Sequence, residues 1–297
     1  MRILLTGANG FIGRHVCKYL REQGAEVIGL DIGPEAKHPE MDGYIQWMLS
    51  ERTEEDFFPE KPIDAVVHLA ADMRHGDHEI EVVTHNCAGE QHLLELAEKH
   101  HVKVQVQMSS LPVIGFPKEH PITENHPLHP PTIYHATKRM MELLANYADY
   151  TFGLRTVSFR ICAPVGIGMN QKTIFPVFIR KALAGEDLTI YGEGSRQQTY
   201  IHVRDIAQAI YQAIISEKAH GVYNLASYNR ISNLDLAKKI VEVTGSSSKI
   251  VMTGLPDAQD GQIWDVCIDR LKGDTAYEPV VSIEECICEQ AEYLREN

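Results

Sequence analysis

A tyrosine and a lysine four residues apart are the side chains in this sequence best suited to acid–base chemistry. Tyr134 and Lys138 form a YxxxK pattern, and in a helix these two side chains leave the same face with Cβ atoms about 5–6 Å apart. An ammonium group that close favours the phenolate over the phenol. The tyrosine pKa, about 10 when unperturbed, can then fall toward neutrality, where the side chain acts as a general base or acid. By itself, YxxxK also fits a solvated helix face.

A serine hydroxyl complements this pair. Ser109 and Ser110 follow a buried-looking strand upstream of Tyr134. The Ser110 hydroxyl can hold the same substrate hydroxyl or carbonyl oxygen on which the tyrosine acts. The combination of serine, tyrosine and lysine is much more specific than any of its parts.

The N-terminal stretch 3–13 could position a cofactor beside these residues. A short apolar run ends in Gly7, Gly10 and Gly13, and an amphipathic segment follows at 11–23. This order predicts a strand, a tight turn and a helix, with a dinucleotide pyrophosphate lying on backbone N–H groups at the helix N-terminus. The spacing is GxxGxxG, and an ordinary turn is the alternative interpretation.

An acidic residue indicates which dinucleotide would bind. Asp31 ends the second predicted strand, 26–31. A carboxylate there accepts both adenosine-ribose hydroxyls and repels a 2′-phosphate, so it favours NAD over NADP. A surface aspartate at a strand end is the alternative.

Predicted strands and helices alternate along the chain, which indicates parallel βαβ units and a doubly wound parallel sheet of the α/β class. The further strands are expected at 44–47, 64–69, 102–108, 154–161, 187–191 and 222–225. The further helices are expected near 51–58 and at 78–101, 132–150, 173–184, 203–217, 232–244 and 282–295. Helix 78–101 should present Ile80, Val83, Cys87, Leu94 and Ala97 on one apolar face.

Composition excludes several classes of function. The 297 residues carry a formal net charge of −13, which argues against nucleic acid or an anionic membrane as a partner. We expect no signal peptide and no membrane span, hence a cytoplasmic protein. The six cysteines are then expected to be buried free thiols. Neither the Cys286–Cys288 pair nor His120, His126 and His129 has metal-ligand spacing, so no metal site is predicted.

Several motifs arrive together in one order: TGANGFIG at 6–13, HLAA at 68–71, Asn86, YHATK at 134–138 and GEGSRQQTYIHVRDIA at 192–207. The chain thereby resembles the extended short-chain dehydrogenase/reductases, in the NAD-dependent epimerase/dehydratase branch that acts on nucleotide sugars. The resemblance covers nearly the whole length. It implies an NAD-binding Rossmann domain at 1–165, joined by 195–228, and a smaller α/β substrate domain at 166–194 and 229–297. It also implies a homodimer through helices 78–101 and 132–150.

The resemblance assigns roles to individual residues. Tyr134 matches the catalytic base, Lys138 its partner and nicotinamide-ribose ligand, and Ser110 the donor to the substrate oxygen. The residues that match the family's cofactor site are Gly7, Gly10, Phe11, Ile12, Gly13, Asp31, Leu69, Ala70, Ala71 and Asn86.

Four departures from the family concern the substrate. Leu111-Pro112 follows Ser110 where dehydratases have Asp-Glu, which argues against dehydration. Ala163 replaces an asparagine near the substrate diphosphate, and Gln198 and Gln259 stand where arginines of the diphosphate clamp are expected. Arginines are the usual ligands of phosphate.

Three basic residues are candidates to replace the missing clamp. Arg196 is the preferred one, and Arg204 and Lys172 are the alternatives.

The leading hypothesis is an NAD-dependent nucleotide-sugar epimerase, in which hydride leaves the sugar and returns to the other face of a keto intermediate. The alternative is a reductase or dehydrogenase of a sugar or other carbonyl on the same scaffold. A non-catalytic dinucleotide sensor is a third reading, against which Ser110, Tyr134 and Lys138 count.

Overall fold

The structure, a computed structural model, describes residues 1–52 and 56–296. The strands are β1 (Arg2–Thr6), β2 (Glu26–Asp31), β3 (Gly43–Gln46), β4 (Ala65–His68), β5 (Val104–Ser110), β6 (Arg155–Ile161), β7 (Ala163–Val165), β8 (Leu188–Ile190), β9 (Gln197–His202), β10 (Gly221–Leu225), β11 (Asn229–Ser232) and β12 (Ile250–Met252). The α-helices are α1 (Phe11–Glu22), α2 (Glu79–Val83), α3 (Gly89–Lys99), α4 (Ile133–Phe152), α5 (Ile174–Leu183), α6 (Val203–Ile215), α7 (Asn233–Thr244), α8 (Asp269–Asp274) and α9 (Ile283–Glu296).

Seven strands form one parallel sheet in the order β10-β6-β5-β4-β1-β2-β3. The predicted doubly wound α/β fold is therefore confirmed. The strand order reverses between β1 and β4, which are hydrogen-bonded neighbours. In such sheets the carboxyl ends of the strands at the reversal point form a crevice in which ligands bind.

Alternating residues of the strands belong to two apolar layers, one on each face of the sheet. Ile3 and Leu5 pack with α1 and α6 on one face of the sheet, whereas Leu4 packs with α3 and α4 on the other. Successive side chains of a strand point to opposite faces of the sheet, and helices cover both faces. An almost wholly apolar strand such as β1 is therefore buried on both sides.

A second apolar cluster lies in the C-terminal part of the chain. It joins residues of α5, α7 and α9, including Phe178, Ile240 and Ile287. Two small sheets accompany these helices, one of β11, β9 and β7 and one of β12 and β8. Ser282 and Glu285 cap α9 reciprocally, since each backbone N–H donates to the other residue's side chain.

The helix expected at 78–101 is not regular. A π-helical turn, Thr84–Ala88, separates α2 from α3, and such a turn adds a residue and rotates the faces on either side of it. Leu94 and Ala97 are buried as predicted, but Ile80 is 81% exposed and Val83 is 44% exposed. The prediction of one continuous buried face was therefore wrong.

Other local expectations had mixed outcomes. The strand expected at 44–47 is β3, one residue earlier. The helix expected near 51–58 falls in part on residues 53–55, outside the described residues, and the flanking residues are not helical. The cysteines are unpaired, but only Cys17, Cys162 and Cys286 are buried and Cys288 is exposed. Within the described residues, no helix combines the length and apolar character needed to cross a membrane.

Candidate active site

A cavity of about 1380 Å³ lies at the carboxyl ends of the central strands. The structure brings every site residue predicted from the sequence to its wall, namely Gly7, Gly10, Phe11, Ile12, Gly13, Asp31, Leu69, Ala70, Ala71, Asn86, Ser110, Tyr134, Lys138 and Arg196. The fold thus brings residues that are as far apart in sequence as 7 and 196 to one cavity. The individual roles of these residues stay predictions.

The turn between β1 and α1 requires glycine for reasons of space. Gly7 has φ +66°, and a Cβ there would lie 2.6 Å from the backbone nitrogen of Ala70. A Cβ on Gly13 would lie 2.2 Å from the carbonyl oxygen of Gly7. Both distances are far below van der Waals contact, so the turn and the end of β4 are packed backbone against backbone.

Helix α1 begins at this turn with its N-terminus open. Gly10 is the N-cap residue, and no side chain caps the helix. The first N–H groups of a helix have no partner within it, and they carry a partial positive charge. A phosphate group at this turn fits both properties.

Asp31 stands at the end of β2 beside the turn. Its carboxylate accepts hydrogen bonds from the backbone N–H groups of Asn9 at 3.0 Å and Gly33 at 3.3 Å. These bonds fix the carboxylate at the cavity wall. Trp47, Met48 and Leu49 line the same end.

Asn86, in the π-helical turn, ties three elements together. Its Nδ2 donates to the Asp72 carbonyl and to Thr137 Oγ1, each at 2.9 Å, and its Oδ1 accepts from the Asp72 N–H at 2.7 Å. Thr137 Oγ1 donates in turn to the carbonyl oxygen of Tyr134. Asn86 is thus predominantly a brace between the segment after β4 and α4, although it also borders the cavity.

Asp72 forms an ion pair with Arg74 that was not predicted from the sequence. Arg74 Nη2 donates to its carboxylate at 2.6 Å, and His85 Nδ1 lies 2.9 Å from the same oxygen. The hydrogen bond from Arg74 holds the pKa of Asp72 well below its usual range. Arg74 therefore stands at the cavity wall as a cation whose charge is balanced by the ionised Asp72.

Tyr134, Lys138 and Ser110 all line this cavity. The Lys138 Nζ donates to the Met108 carbonyl at 2.8 Å and lies 5.8 Å from the centroid of the Tyr134 ring. Burial lowers the pKa of Lys138 to about 8, opposed by Glu90. Burial raises the pKa of Tyr134 to about 12, opposite to the lowering expected from the sequence. The cause is the loss of water around the phenolate.

A buried polar chain lies beside Lys138. The Ala70 N–H donates to Thr6 Oγ1 at 3.2 Å, and Thr6 Oγ1 lies 2.7 Å from His68 Nδ1. His68 Nε2 is 3.3 Å from a carboxylate oxygen of Glu90, which is completely buried. Sequence reasoning missed Glu90. The signal was its place four residues after Asn86 and four before Leu94, on the buried stripe of the helix.

The far end of the cavity is lined by a different set of side chains. Gln197 pairs with Ile263 in a short parallel bridge, so the alternate residues Arg196, Gln198, Gln262 and Trp264 share the face that lines the cavity. With its amide oriented so that Oε1 faces Arg196, Gln198 accepts from Arg196 Nη2 at 2.5 Å and Nε at 3.1 Å. Gln259 lies at the same end.

The other two candidate cations lie elsewhere. Arg204 Nη2 is paired with Glu289 at 3.2 Å, and neither Arg204 nor Lys172 is among the described residues of the cavity wall. Of the three candidates for a substrate phosphate, only Arg196 is therefore placed to contact a ligand. In the described part of the chain, no group of three or more His, Cys, Asp or Glu residues could hold a metal ion.

Comparison with known proteins gives matches over most of the chain. The sequence pattern of the NAD dependent epimerase/dehydratase family matches residues 3–226. The low-salt glycan biosynthesis protein Agl12 of Haloferax volcanii is 31% identical over 83% of this chain and 84% of its own length. UDP-glucose 4-epimerase of Halalkalibacterium halodurans is 29% identical over 82% of this chain and 81% of its own. The structure of MoeE5 in complex with UDP-glucose and NAD superposes with a TM-score of 0.84, at 25% identity and with 100% and 99% of the two chains covered.

The close packing at Gly13 predicts a sharp effect of one methyl group. Gly13→Ala should lower the free energy of unfolding by about 1–3 kcal/mol, because the new Cβ meets the Gly7 carbonyl. Dinucleotide affinity should fall with it. Chemical denaturation and calorimetric titration with NAD measure the two effects.

The matched control is Gly273→Ala, where an added Cβ meets nothing within 4 Å. This change in α8 should alter the unfolding free energy by less than about 1 kcal/mol. Equal effects of the two substitutions would contradict the packing argument.

Proposed function

Because the chain belongs to the NAD dependent epimerase/dehydratase family, we propose that it is an NAD-dependent epimerase of a nucleotide sugar. One observation carries the proposal: a single cavity joins the open glycine turn to Ser110, Tyr134 and Lys138. A cofactor held at the turn and a hydroxyl held at the tyrosine therefore share one enclosed space. UDP-glucose 4-epimerases are among the chain's relatives, and MoeE5 binds both UDP-glucose and NAD.

The cofactor end of the cavity fits NAD. The tight approach at Gly7 and Gly13 leaves room for a pyrophosphate against the backbone, and the N-terminus of α1 faces it. Asp31 would accept the adenosine-ribose hydroxyls and repel a 2′-phosphate. Trp47, Met48 and Leu49 would border the adenine. NAD supplies a hydride acceptor that can also return the hydride.

The chain's own residues handle the proton. Tyr134 Oη would take the proton from the reacting sugar hydroxyl, while the Ser110 hydroxyl holds that oxygen in place. Tyr134 would give the proton back to the same oxygen at the end of the cycle. The tyrosine therefore ends the cycle in the state in which it began, as an isomerisation requires.

The buried phenol sets a condition on this mechanism. Since burial raises the Tyr134 pKa to about 12, the phenolate needs positive charge in the cavity. The cationic form of Lys138 supplies part of that charge. We propose that the ammonium beside the Tyr134 ring also binds the nicotinamide ribose.

The wall next to Ser110 favours epimerisation over dehydration. Leu111 and Pro112 follow the serine along the wall, and neither can donate a proton to a leaving hydroxyl. Among the described residues of the wall, the carboxylates are Asp31 and Asp72. Asp31 stands at the adenosine end, and Asp72 is held ionised by Arg74.

Arg196 is the proposed contact for the substrate diphosphate. Gln198 and Gln259, where the family has arginines, would contribute neutral hydrogen bonds in place of charge. We propose that residues 166–194 and 229–297 form the substrate-binding part. The proposed NAD-binding region is 1–165 together with 195–228. In support of this division, α6 packs on α1 and β10 joins the main sheet. The expectations of a cytoplasmic location and of no nucleic-acid or membrane partner stay predictions.

We further propose a homodimer through α2 and α4. Apolar side chains are exposed along both helices, at Ile80 and Val83 of α2 and at Leu143, Tyr147 and Tyr150 of α4. Residues 143, 147 and 150 share one face at helical spacing. The two helices pack beside each other, and exposed apolar side chains on neighbouring helices are of the kind that a second copy covers.

Tyr134→Phe should abolish epimerisation, with a loss of at least about 100-fold in kcat, because the proton acceptor is removed. NAD should still bind, since the turn and Asp31 are untouched. Turnover of a UDP-sugar followed by NMR, together with NAD content after purification, measures both. Activity that survives the substitution would contradict the assignment of Tyr134.

A panel of nucleotide sugars separates the proposed activity from its alternatives. An epimerase should purify with bound NAD, need none added, and convert one sugar epimer into another without net change in absorbance at 340 nm. Stoichiometric NADH formation or consumption would indicate the reductase or dehydrogenase. NAD binding without any conversion would indicate a sensor, and a thermal shift with NAD but with no nucleotide sugar would indicate another substrate class.

Leu143→Glu should yield a monomer, because it places a charge in the proposed apolar interface. Light scattering should give twice the 33.4 kDa of one chain for the unmodified protein and a single-chain mass for the variant. Val280→Glu is the control, since Val280 is 70% exposed but lies outside both helices. A monomeric unmodified protein would overturn the proposal.

A further inference from the structure

The carboxylate of Asp260 joins two remote segments of the chain beside the cavity. Its Oδ1 accepts hydrogen bonds from the backbone N–H of Ser195 at 2.9 Å and from Ser195 Oγ at 2.8 Å. Its Oδ2 accepts from the backbone N–H of Glu193. In return, Ser195 Oγ accepts from the backbone N–H of Gly261 at 2.9 Å. The loop before β9 and the segment around residue 260 are thus bonded to each other in both directions.

The loop before β9 is shaped to receive this carboxylate. Gly192 has φ +60° and Gly194 has φ +67°, in the left-handed region that favours glycine. Backbone N–H groups in such turns form concavities that bind anions. A Cβ on Gly192 would overlap Asp260 Oδ2, so the fit excludes a side chain at that position. The backbone N–H of Glu193 and the other donors hold the pKa of Asp260 below its usual range, and the chain thereby supplies the loop with its own anion.

Arg196 follows directly on the residue that Asp260 binds. The carbonyl oxygen of Arg196 accepts from the backbone N–H of Asn233 at 2.9 Å, and the next residue, Gln197, donates its N–H to the carbonyl oxygen of Gln262 at 2.8 Å. The backbone on both sides of the arginine is therefore held by bonds to other segments. The bonds on the N-terminal side come from Asp260.

The guanidinium of Arg196 keeps its charge available to a ligand. The side chain is half-buried at the cavity wall, and its partner there is the neutral amide of Gln198. Asp260 bonds to the loop backbone and to Ser195, and it is not among the described residues of the cavity wall. It therefore fixes where the arginine stands and does not occupy the space of a ligand.

We propose that Asp260 is a positioning residue for Arg196: its carboxylate holds the loop 192–195 in the shape from which the Arg196 guanidinium reaches the diphosphate of the substrate. The inference rests on the proposed function, in which Arg196 contacts that diphosphate. Asp260 contacts neither substrate nor cofactor in this scheme and acts through the arginine.

Asp260→Asn tests the inference by the sign of its effect. The substitution removes a negative charge from this end of the protein, which by charge alone would strengthen the binding of an anion. An amide nitrogen facing the N–H groups of the loop cannot accept their hydrogen bonds, so positioning predicts weaker binding instead. In NAD-loaded protein titrated calorimetrically with UDP and with dTDP, affinity should fall about 10-fold, the size of one charge-assisted hydrogen bond.

The matched control is Asp257→Asn, which removes the same charge from the same segment. Asp257 Oδ1 accepts a single bond, from the backbone N–H of Gln259 at 2.9 Å, and an asparagine oxygen can accept it equally well. This variant should show no loss of affinity for either diphosphate. A loss equal to that of Asp260→Asn would contradict the inference.

A second pair of variants moves the carboxylate without changing charge. Gly192→Ala places a methyl group against Asp260, whereas Gly185→Ala, at φ +71° with nothing within 4 Å of the new Cβ, has similar backbone strain and no clash. Only the first should weaken diphosphate binding. In turnover of a nucleotide sugar its KM should rise about 10-fold with kcat little changed, because Ser110 and Tyr134 are untouched. A general loss of structure would lower kcat and the bound NAD as well.

A double-mutant cycle shows whether Asp260 acts through the arginine. In an Arg196→Gln background, Asp260→Asn should cause no further loss of diphosphate affinity. A full further loss there, or an unchanged affinity in Asp260→Asn alone, would overturn the inference and leave the proposed function standing.

Hydrogen exchange separates the two proposals because it needs no substrate. The backbone amides of Glu193 and Ser195 should exchange faster in Asp260→Asn than in the unmodified protein. If that occurs but the unmodified protein binds no nucleoside diphosphate or nucleotide sugar, the proposed function is rejected and the hold of Asp260 on the loop is kept. Unchanged exchange at both amides would reject that hold whatever the ligand.

Discussion

The arrangement of the site depends on one close approach between two stretches of backbone. Gly7 in the turn after β1 lies against Leu69 and Ala70 after β4, nearer than any side chain would permit. From this contact a series of backbone and side-chain contacts leads to Tyr134. The segment after Ala70 leads to Asp72, whose backbone N–H and carbonyl both form hydrogen bonds with the side chain of Asn86. Asn86 also donates to Thr137 Oγ1, which donates to the carbonyl oxygen of Tyr134. The distance between the glycine turn and the tyrosine is thereby set by main-chain geometry and one buried amide.

Motifs whose members are close in sequence were predicted correctly. The glycine turn, Asp31 at the end of β2 and the YxxxK pair in α4 all lie where local pattern placed them, because strand, turn and helix signals act over a few residues. The sheet followed from alternation of these elements. The short strands β7, β9, β11 and β12 were missed, since segments of three to six residues are too short to give a clear periodic signal of their own.

Effects that arise from tertiary burial could not be predicted. The π-helical turn at 84–88 rotates the face of the helix expected at 78–101, and only packing shows that Ile80 lies outside and Glu90 inside. The pKa of Tyr134 is raised where the sequence suggested a fall, because the pattern YxxxK gives the distance to the lysine but not the loss of water around the phenol. The cavity wall around Arg196 is the extreme case, because Gln262 and Trp264 join Arg196 only through the pairing of two remote segments.

The two tryptophans of the chain both line the cavity, at different places on its wall. Trp47 stands with Met48 and Leu49 beside Asp31, and Trp264 stands with Gln262 beside Arg196. Indole emission responds to its immediate surroundings, so the chain carries one native fluorophore at each end of its binding space. Emission from the first would report a ligand beside Asp31, and emission from the second would report a ligand beside Arg196. Since both indoles emit in the same spectral range, a variant that keeps only one of them would report on one end of the cavity without an attached dye.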